Sequence, residues 1–179
     1  AAYRAALVQV GGASFADMVI ARYPVSRYGT ARAALVQALT DARFGCGARA
    51  AARAATRGNM GAAPVYRYLY AHPLESGTPL VRALGAWHGL ELVYVFQNIA
   101  RTVMTPTAGD LAVERTMLGY WTRFAATGDP NGDGAPAWPR YATGEPLLRL
   151  DTAPTTVQAW RNEECDQWDM LSRTSVPAP

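Results

Sequence analysis

The sequence predicts a mixed, helix-rich α/β chain whose sheet is incomplete. Only two or three strands are readable, far fewer than a closed sheet needs, and several helices have apolar faces that must pack on another layer. With 179 residues, half of them hydrophobic and 17% charged, the chain has the length of one domain. Because no repeat or dividing linker is evident, we expect residues 1–179 to be one part of a single, larger domain.

Ser14 supports two hypotheses for the start of the chain. Together with Asp17 it is typical of a capping box in a helix that stops before Pro24. Residues 12–16 also come close to the G-x-S-x-G pattern of a serine nucleophile on a strand-to-helix elbow. The elbow is the weaker hypothesis, because the strands and oxyanion donors that it needs would have to precede residue 1. Residues 3–10 are too short a run to assign.

Two further helices are predicted before residue 60. The first runs from its cap, Thr30, to Phe44, with Leu35 and Leu39 on one apolar face. The second spans residues 46–59 and ends at a glycine and an asparagine, which favour a left-handed helix stop.

The clearest strand is predicted at residues 64–72. Tyr66, Tyr68 and Tyr70 lie on one side of it and apolar residues on the other. His72 stands at the end of this strand beside a proline, and we interpret it as a structural residue.

A long helix is predicted between Asp110, its cap, and Gly128, which closes it. Its apolar positions fall on neighbouring turns and are Leu111, Val113, Met117, Trp121 and Phe124. A helix of this length is expected to be a major packing element.

The C-terminal part predicts a turn, a strand and a last helix. Residues 129–134 fit the first half of a calcium-loop pattern, but Arg140 stands where the closing glutamate should be, so we interpret the segment as a turn. Residues 147–151 are a short predicted strand, and Thr155 or Thr156 is expected to cap the last helix. That helix would carry Val157, Trp160, Trp168 and Leu171.

Composition argues against several classes of partner and cofactor. All 17 basic residues are arginines, and the nearest cluster, Arg49, Arg53 and Arg57, is typical of the solvated side of a helix rather than a nucleic-acid surface. The only cysteines, Cys46 and Cys165, are too few and too far apart for a redox motif or zinc site. No apolar stretch approaches the roughly 18 residues of a membrane span. We therefore expect no cofactor, no metal, no nucleic acid and no membrane span.

The candidate catalytic residue is His88, in the stretch of residues 85–96. A histidine side chain can take up and return a proton near neutral pH, and the glycines on both sides, Gly85 and Gly89, let the backbone turn and approach closely. The alternative is a core histidine in an ordinary turn. The spacing alone does not decide between these two interpretations.

Seven short motifs, in this order, resemble the C-terminal third of the type-B carboxylesterases, the family of cholinesterases and bacterial para-nitrobenzyl esterases. Each motif alone is weakly specific, whereas their order is specific. They are Tyr23-Pro24, the run at residues 40–46, the strand at residues 64–68, the loop at residues 85–96, the run at residues 120–131, Trp138-Pro139 and residues 165–168.

The resemblance implies an α/β-hydrolase fold and the hydrolysis of carboxylic ester substrates by a Ser–His–Glu/Asp triad. It assigns the catalytic histidine to His88 and leaves the nucleophilic serine and the triad acid upstream of residue 1. The expected partner is therefore the N-terminal part of the same polypeptide. Glu91, three residues after His88, is interpreted as a structural polar group, because the family's acid lies far upstream.

The resemblance also implies a disulfide between Cys46 and Cys165, which correspond to a bonded pair in the cholinesterase branch. A persistent disulfide indicates an oxidising compartment, so a secreted or periplasmic location is expected. The alternative is two buried free thiols in a cytosolic esterase.

Two other functions stay open at the level of the sequence. One is a non-catalytic adhesion or binding relative of the same fold, against which the presence of His88 argues. The other is a free-standing helical interaction module whose amphipathic helices form the contact surface. What precedes Ala1 would separate all three hypotheses.

Overall fold

A computed structural model describes residues 2–58, 63–101, 105–132 and 134–174. Asn59 and Asp133, expected at a helix end and in a turn, lie outside these ranges. The elements are α1 (Ala2–Arg22), α2 (Val25–Tyr28), α3 (Ala31–Thr40), a π-helical turn (Asp41–Gly45), α4 (Cys46–Gly58), β1 (Tyr68–Tyr70), α5 (Pro79–Arg82), α6 (Glu91–Val95), a 3₁₀ turn (Ile99–Arg101), α7 (Ala108–Thr127), β2 (Leu147–Leu150), β3 (Thr155–Val157) and α8 (Asn162–Thr174).

The contacts within the chain divide it into two compact units. Unit 1 comprises residues 1–51 and 161–179, and unit 2 comprises residues 52–160. The expectation that residues 1–179 form part of a single hydrolase domain remains a prediction. Among the described residues, no helix combines the length and the apolar character needed to cross a membrane.

Helix α1 overturns the elbow hypothesis for Ser14. The helix bends at Gly12, whose φ of 82° is non-helical, and Ser14 lies exposed in the helical part after the bend. A nucleophile elbow needs a strand before the serine, but Ser14 is preceded by a helix, so the elbow hypothesis is wrong. Asp17 forms an ion pair with Arg4 across the bend, at 2.9 Å. The helix ends before residue 24, as predicted.

Helix α3 begins as predicted but presents a different face. The Thr30 hydroxyl caps it by accepting a hydrogen bond from the backbone of Ala33. The buried positions are Ala34 and Ala38, whereas Leu39 is 49% exposed. The small residues Ala34 and Ala38 therefore form the packed face of α3, and the assignment of Leu39 to that face is wrong.

The core of unit 1 is small and mixed aromatic–aliphatic. It consists of Tyr3, Leu7, Ala16, Val19, Tyr23, Ala34 and Ala38, with Trp168 packed against it. The Trp168 indole donates a hydrogen bond to the Tyr23 hydroxyl at 2.8 Å. Segments far apart in sequence thus share one core.

The disulfide implied by the resemblance is present. Cys46 and Cys165 are bonded, with their Cα atoms 5.0 Å apart. One turn along α4, Arg49 is fully buried, and its guanidinium donates to Asp166 at 2.6 Å and Asp169 at 2.9 Å. The expectation that Arg49 lies on a solvated face is wrong, because the carboxylates of α8 compensate its buried charge.

Unit 2 contains a three-stranded sheet in the order β1-β2-β3. β1 pairs with β2 in parallel, with Tyr68 opposite Leu148, and β2 pairs with β3 antiparallel, with Leu148 opposite Thr156. The predicted strand over residues 64–72 is reduced to Tyr68–Tyr70. The expectation that Thr155 or Thr156 caps the last helix is wrong, because both lie in β3.

Helix α7 contributes Val113, Met117 and Tyr120 to the core of unit 2 and begins with a capping box. Thr107 is its N-cap and Asp110 occupies the third helical position, so the assignment of Asp110 as the cap is off by three residues. Gly128, with a φ of 76°, closes the helix as predicted. The buried core residues are Leu74, Leu90, Tyr94, Ile99, Val113, Met117, Tyr120, Trp138, Leu148 and Leu150.

Candidate active site

His88 lies exposed on a tight turn that leads directly into α6. Gly85 and Gly89 adopt φ values of 68° and 87°, a region that residues with a side chain rarely enter. The N–H of Leu90 donates to the carbonyl of Trp87 at 3.2 Å and closes the turn around His88. The two glycines therefore let the backbone turn tightly at His88, as their positions in the sequence predict.

The residues on both sides of His88 fix the turn to the core. Leu90 is 3% exposed, and Trp87 packs against the same core cluster. Tyr94 is fully buried, and its ring lies 5.7 Å from that of Tyr70. Tyr94 is therefore a packing residue of the core.

The second histidine, His72, is fully buried between two carboxylates. Its Nε2 atom lies 3.0 Å from Oδ1 of Asp110, and its Nδ1 atom lies 3.2 Å from Oδ1 of Asp151. Both ring nitrogens are within hydrogen-bond distance of an acceptor. The histidine in the core of this chain is thus His72, and His88 is the exposed one.

Asp110 is the centre of this buried network. Its side chain is fully buried, and its two oxygens are contacted by the backbone N–H groups of Glu75, Ser76 and Thr107, the Tyr94 hydroxyl and the His72 ring, all at 2.9 to 3.2 Å. Burial alone raises the pKa of this carboxyl, but these hydrogen bonds, led by the one from Thr107, hold the pKa of Asp110 well below its usual range. Asp110 is therefore a carboxylate.

The network lies at the carboxyl ends of two parallel strands. His72 follows β1 and Asp151 follows β2 directly, and the N–H of Ala71 donates to the carbonyl of Leu150 at 2.9 Å just beyond the paired residues. In open α/β sheets the carboxyl ends of the strands are where ligands bind.

Three side chains of the network have the composition of a metal site. One ligand atom each from His72, Glu75 and Asp110 lies within 4.8 Å of the others. However, the Asp110 oxygens accept hydrogen bonds from several donors, and the Glu75 carboxylate accepts one from the Thr107 hydroxyl at 2.7 Å. The arrangement is that of a hydrogen-bonded network rather than of a cation site.

Glu91 is half-buried in the first turn of α6. Together with Tyr68 and Trp121 it lines an open hollow of about 330 Å³. Burial, and after it the nearby Glu91 carboxylate, raises the pKa of Tyr68. The interpretation of Glu91 as a structural polar group remains a prediction.

A second hollow, of about 170 Å³, is almost wholly aromatic. It is lined by Tyr66, Tyr68, Tyr120, Trp121, Phe124, Pro130 and Trp138. His88 lines neither of these two hollows.

A model of the carboxylesterase family matches residues 7–168, a span that includes both the His88 turn and the Asp110 network. The chain belongs to the carboxylesterase family. Its α/β-hydrolase fold class is thereby confirmed, and the three strands are the incomplete sheet that the sequence predicted.

Curated members of the family resemble this chain at about one third identity. Carboxylesterase 5A of Canis lupus familiaris is 35% identical over 129 residues, which cover 65% of this chain and 22% of that protein. Cocaine esterase of Homo sapiens is 33% identical over 109 residues, covering 59% and 19%. Acetylcholinesterase of Gallus gallus is 34% identical over 122 residues, covering 63% and 16%. The chain spans about a fifth of the length of these carboxylesterase relatives.

Proposed function

We propose that this chain is the C-terminal part of a serine-dependent carboxylic ester hydrolase in which His88 is the catalytic base. The nucleophilic serine and the triad acid are supplied by the polypeptide upstream of residue 1. The proposal is supported by membership of the carboxylesterase family and by relatives that are themselves named carboxylesterases and esterases.

The observation that carries the proposal is the exposed position of His88 in a turn shaped by two glycines. An imidazole that exchanges protons with a substrate must be reachable, and His88 is exposed whereas His72 is fully buried. Trp87 and Leu90, packed on the core, hold the backbone on both sides of the imidazole. A reachable side chain on a fixed backbone is what general base catalysis requires.

The chemistry assigned to His88 consists of two proton transfers. A serine hydroxyl is a weak nucleophile until a base removes its proton, so His88 accepts that proton as the serine oxygen bonds to the ester carbonyl carbon. The tetrahedral intermediate then breaks its bond to the alcohol oxygen, and His88 donates the proton to that leaving group. Water repeats both steps on the acyl-serine and releases the acid.

The N-terminal part of the same polypeptide is the proposed partner of this chain. Among the described residues β1 pairs only with β2, which leaves the backbone groups of its other edge for a further strand. Large apolar side chains of unit 2 are exposed as well and are available for contact with that part of the polypeptide. They are Leu80, Leu84, Leu92, Phe96 and Phe124.

A secreted or periplasmic location is the proposed compartment. Cys46 and Cys165 are bonded, and disulfides form and persist in oxidising compartments but are rare in the cytosol. By the resemblance described above, the two cysteines correspond to a bonded pair in the cholinesterase branch of the family.

The test is the variant His88→Gln in the complete polypeptide. Loss of the base should lower turnover of p-nitrophenyl esters by roughly 10⁴-fold. Because His88 is exposed, the midpoint of thermal unfolding should stay within about 1 °C of the wild type, as is usual for surface substitutions.

The matched control is Gln97→Ala, an exposed residue just after α6, which should keep full activity. An esterase activity above about a tenth of the wild type in His88→Gln would remove His88 from the mechanism. A complete polypeptide with no esterase activity at all would favour the non-catalytic binding relative.

A further inference from the structure

Both ends of the segment that carries His88 form hydrogen bonds to the same carboxylate, that of Asp110. At its start, the backbone N–H groups of Glu75 and Ser76 donate to Asp110 at 3.2 and 3.1 Å. At its end, the Tyr94 hydroxyl donates to the same carboxylate at 2.9 Å. Residues 76–94 therefore form a loop whose base is closed by Asp110.

The closing carboxylate is itself fixed to a helix and to the sheet. The capping box joins it to Thr107 in both directions, since each residue's N–H donates to the other's side chain at 3.0 Å. The His72 ring connects it to Asp151 at the end of β2. A displacement of Asp110 would thus disturb α7, the strand ends and the loop base together.

We propose that Asp110 is a positioning residue: by holding both ends of the 76–94 loop, it sets the place of the His88 imidazole relative to the sheet. This inference rests on the proposed function of His88. Asp110 itself does not reach substrate, because its side chain is fully buried. Catalytic groups must be held close to their productive geometry, and a misplacement of about 1 Å can cost on the order of 100-fold in rate.

The five contacts require a carboxylate rather than an amide. Four of the five are made by N–H and O–H donors of the backbone and Tyr94, and both oxygens of Asp110 accept. An asparagine has one acceptor oxygen and one NH₂ group, so its NH₂ would face backbone donors. The variant Asp110→Asn therefore keeps the size of the side chain and removes the acceptor for the hydrogen bonds on one side of it.

The matched control is Glu114→Gln, one turn further along α7. Glu114 is also buried, and within the described ranges the backbone N–H of Ile99, outside residues 76–94, donates to it at 3.3 Å. Both variants remove a buried charge from the same helix. Only Asp110→Asn disturbs the base of the loop.

The experiment measures kcat and KM for a p-nitrophenyl ester, and amide hydrogen exchange of residues 76–94, in the complete polypeptide. Asp110→Asn should lower kcat by about 10- to 100-fold, with KM changed less than about threefold, and should speed exchange throughout the loop. Glu114→Gln should leave kcat within about threefold and should not speed exchange in the loop. Equal effects of the two variants on kcat and on exchange would overturn the inference.

Tyr94→Phe provides a second test that does not depend on the folding of Asp110→Asn. It keeps the buried ring and removes one donor at the C-terminal end of the loop. It should lower kcat by about 3- to 10-fold and speed exchange mainly in residues 88–94. Wild-type kcat and exchange in this variant would overturn the inference.

Failure of the inference and failure of the proposed function give different results. If His88→Gln keeps activity, the proposed function fails, whereas the exchange data still report whether Asp110 closes the loop. If His88→Gln is inactive but Asp110→Asn behaves like Glu114→Gln and Tyr94→Phe behaves like the wild type, only the positioning role fails.

Discussion

The two units of this chain hold their buried charged side chains in different ways. Unit 1 joins two segments that are distant in sequence by a disulfide across 119 residues and by the buried Arg49. Unit 2 is continuous in sequence, and its buried carboxylate, Asp110, collects its partners from residues 72–107. The two segments of unit 1 are thus joined by one covalent bond and by several ion pairs and hydrogen bonds across more than 100 residues, whereas Asp110 of unit 2 makes five contacts with residues at most 38 positions away.

The largest effect is expected from removing the covalent link of unit 1. The double substitution of Cys46 and Cys165 by serine should lower the free energy of unfolding by roughly 4 to 5 kcal/mol, because the bond no longer restricts a loop of this length in the unfolded chain. Chemical denaturation of the complete polypeptide measures the loss, and reduced wild type should match the variant. Two titratable thiols in the denatured, unreduced protein would contradict the bond.

The next effect is expected from His72 in unit 2. His72→Leu removes the shared hydrogen-bonding partner of two carboxylates, and leaving a buried polar group without its partner should cost about 2 to 3 kcal/mol. Arg149→Gln is the control, because Arg149 forms a half-exposed ion pair with Asp151 at 2.9 Å. Its loss should cost less than about 1 kcal/mol. Equal losses in the two variants, measured by urea denaturation, would show that the buried contacts of His72 contribute no more than a surface pair.

Local signals in the sequence predicted the ends of several elements correctly. The Thr30 cap, the glycine stop at Gly128 and the extent of α4 depend on hydrogen bonds within a few residues, and the residue types show them. Thr155 is the counterexample. It resembles a helix cap locally, but pairing with Arg149 of β2 makes it part of a strand.

Long-range contacts explain what the sequence did not reveal. Arg49 matched a solvated stripe, but α8 brings two carboxylates to it from more than 100 residues away. Asp110 was recognised only as a helix-start residue. The T-x-x-D spacing from Thr107 was a usable signal for the capping box, whereas the donors from residues 72–76 and Tyr94 depend on the tertiary fold. The role of His88 came from motif resemblance and remains a prediction.

The buried carboxylates of the two units should respond to pH in opposite directions. In unit 2, hydrogen bonds hold the pKa of Asp110 below its usual range despite burial. An aspartate in an unfolded chain titrates near pH 3.9. The stability that Asp110 contributes is therefore complete above about pH 4 and is lost as the pH falls towards the folded-state pKa.

In unit 1, burial raises the pKa of Asp41, and its partners do not outweigh that effect. These partners are fewer: Tyr23 donates at 3.0 Å, Gln37 at 2.8 Å, and the Arg161 guanidinium lies at 3.4 Å. The folded state then holds a proton on Asp41 more tightly than the unfolded chain does. The contribution of this proton to stability is complete below about pH 4 and is lost as the pH rises through the folded-state pKa.

Urea denaturation between about pH 3 and pH 7 tests this contrast with the variants Asp110→Asn and Asp41→Asn. The free energy of unfolding of the wild type minus that of Asp110→Asn should grow as the pH rises from about 3 to 5, because the charged form is the one that unit 2 stabilises. The corresponding difference for Asp41→Asn should shrink as the pH rises above about 4, because unit 1 stabilises the neutral form. Slopes of the same sign would mean that hydrogen bonding outweighs burial at both aspartates or at neither. The larger number of donors around Asp110 than around Asp41 would then not explain their pKa values.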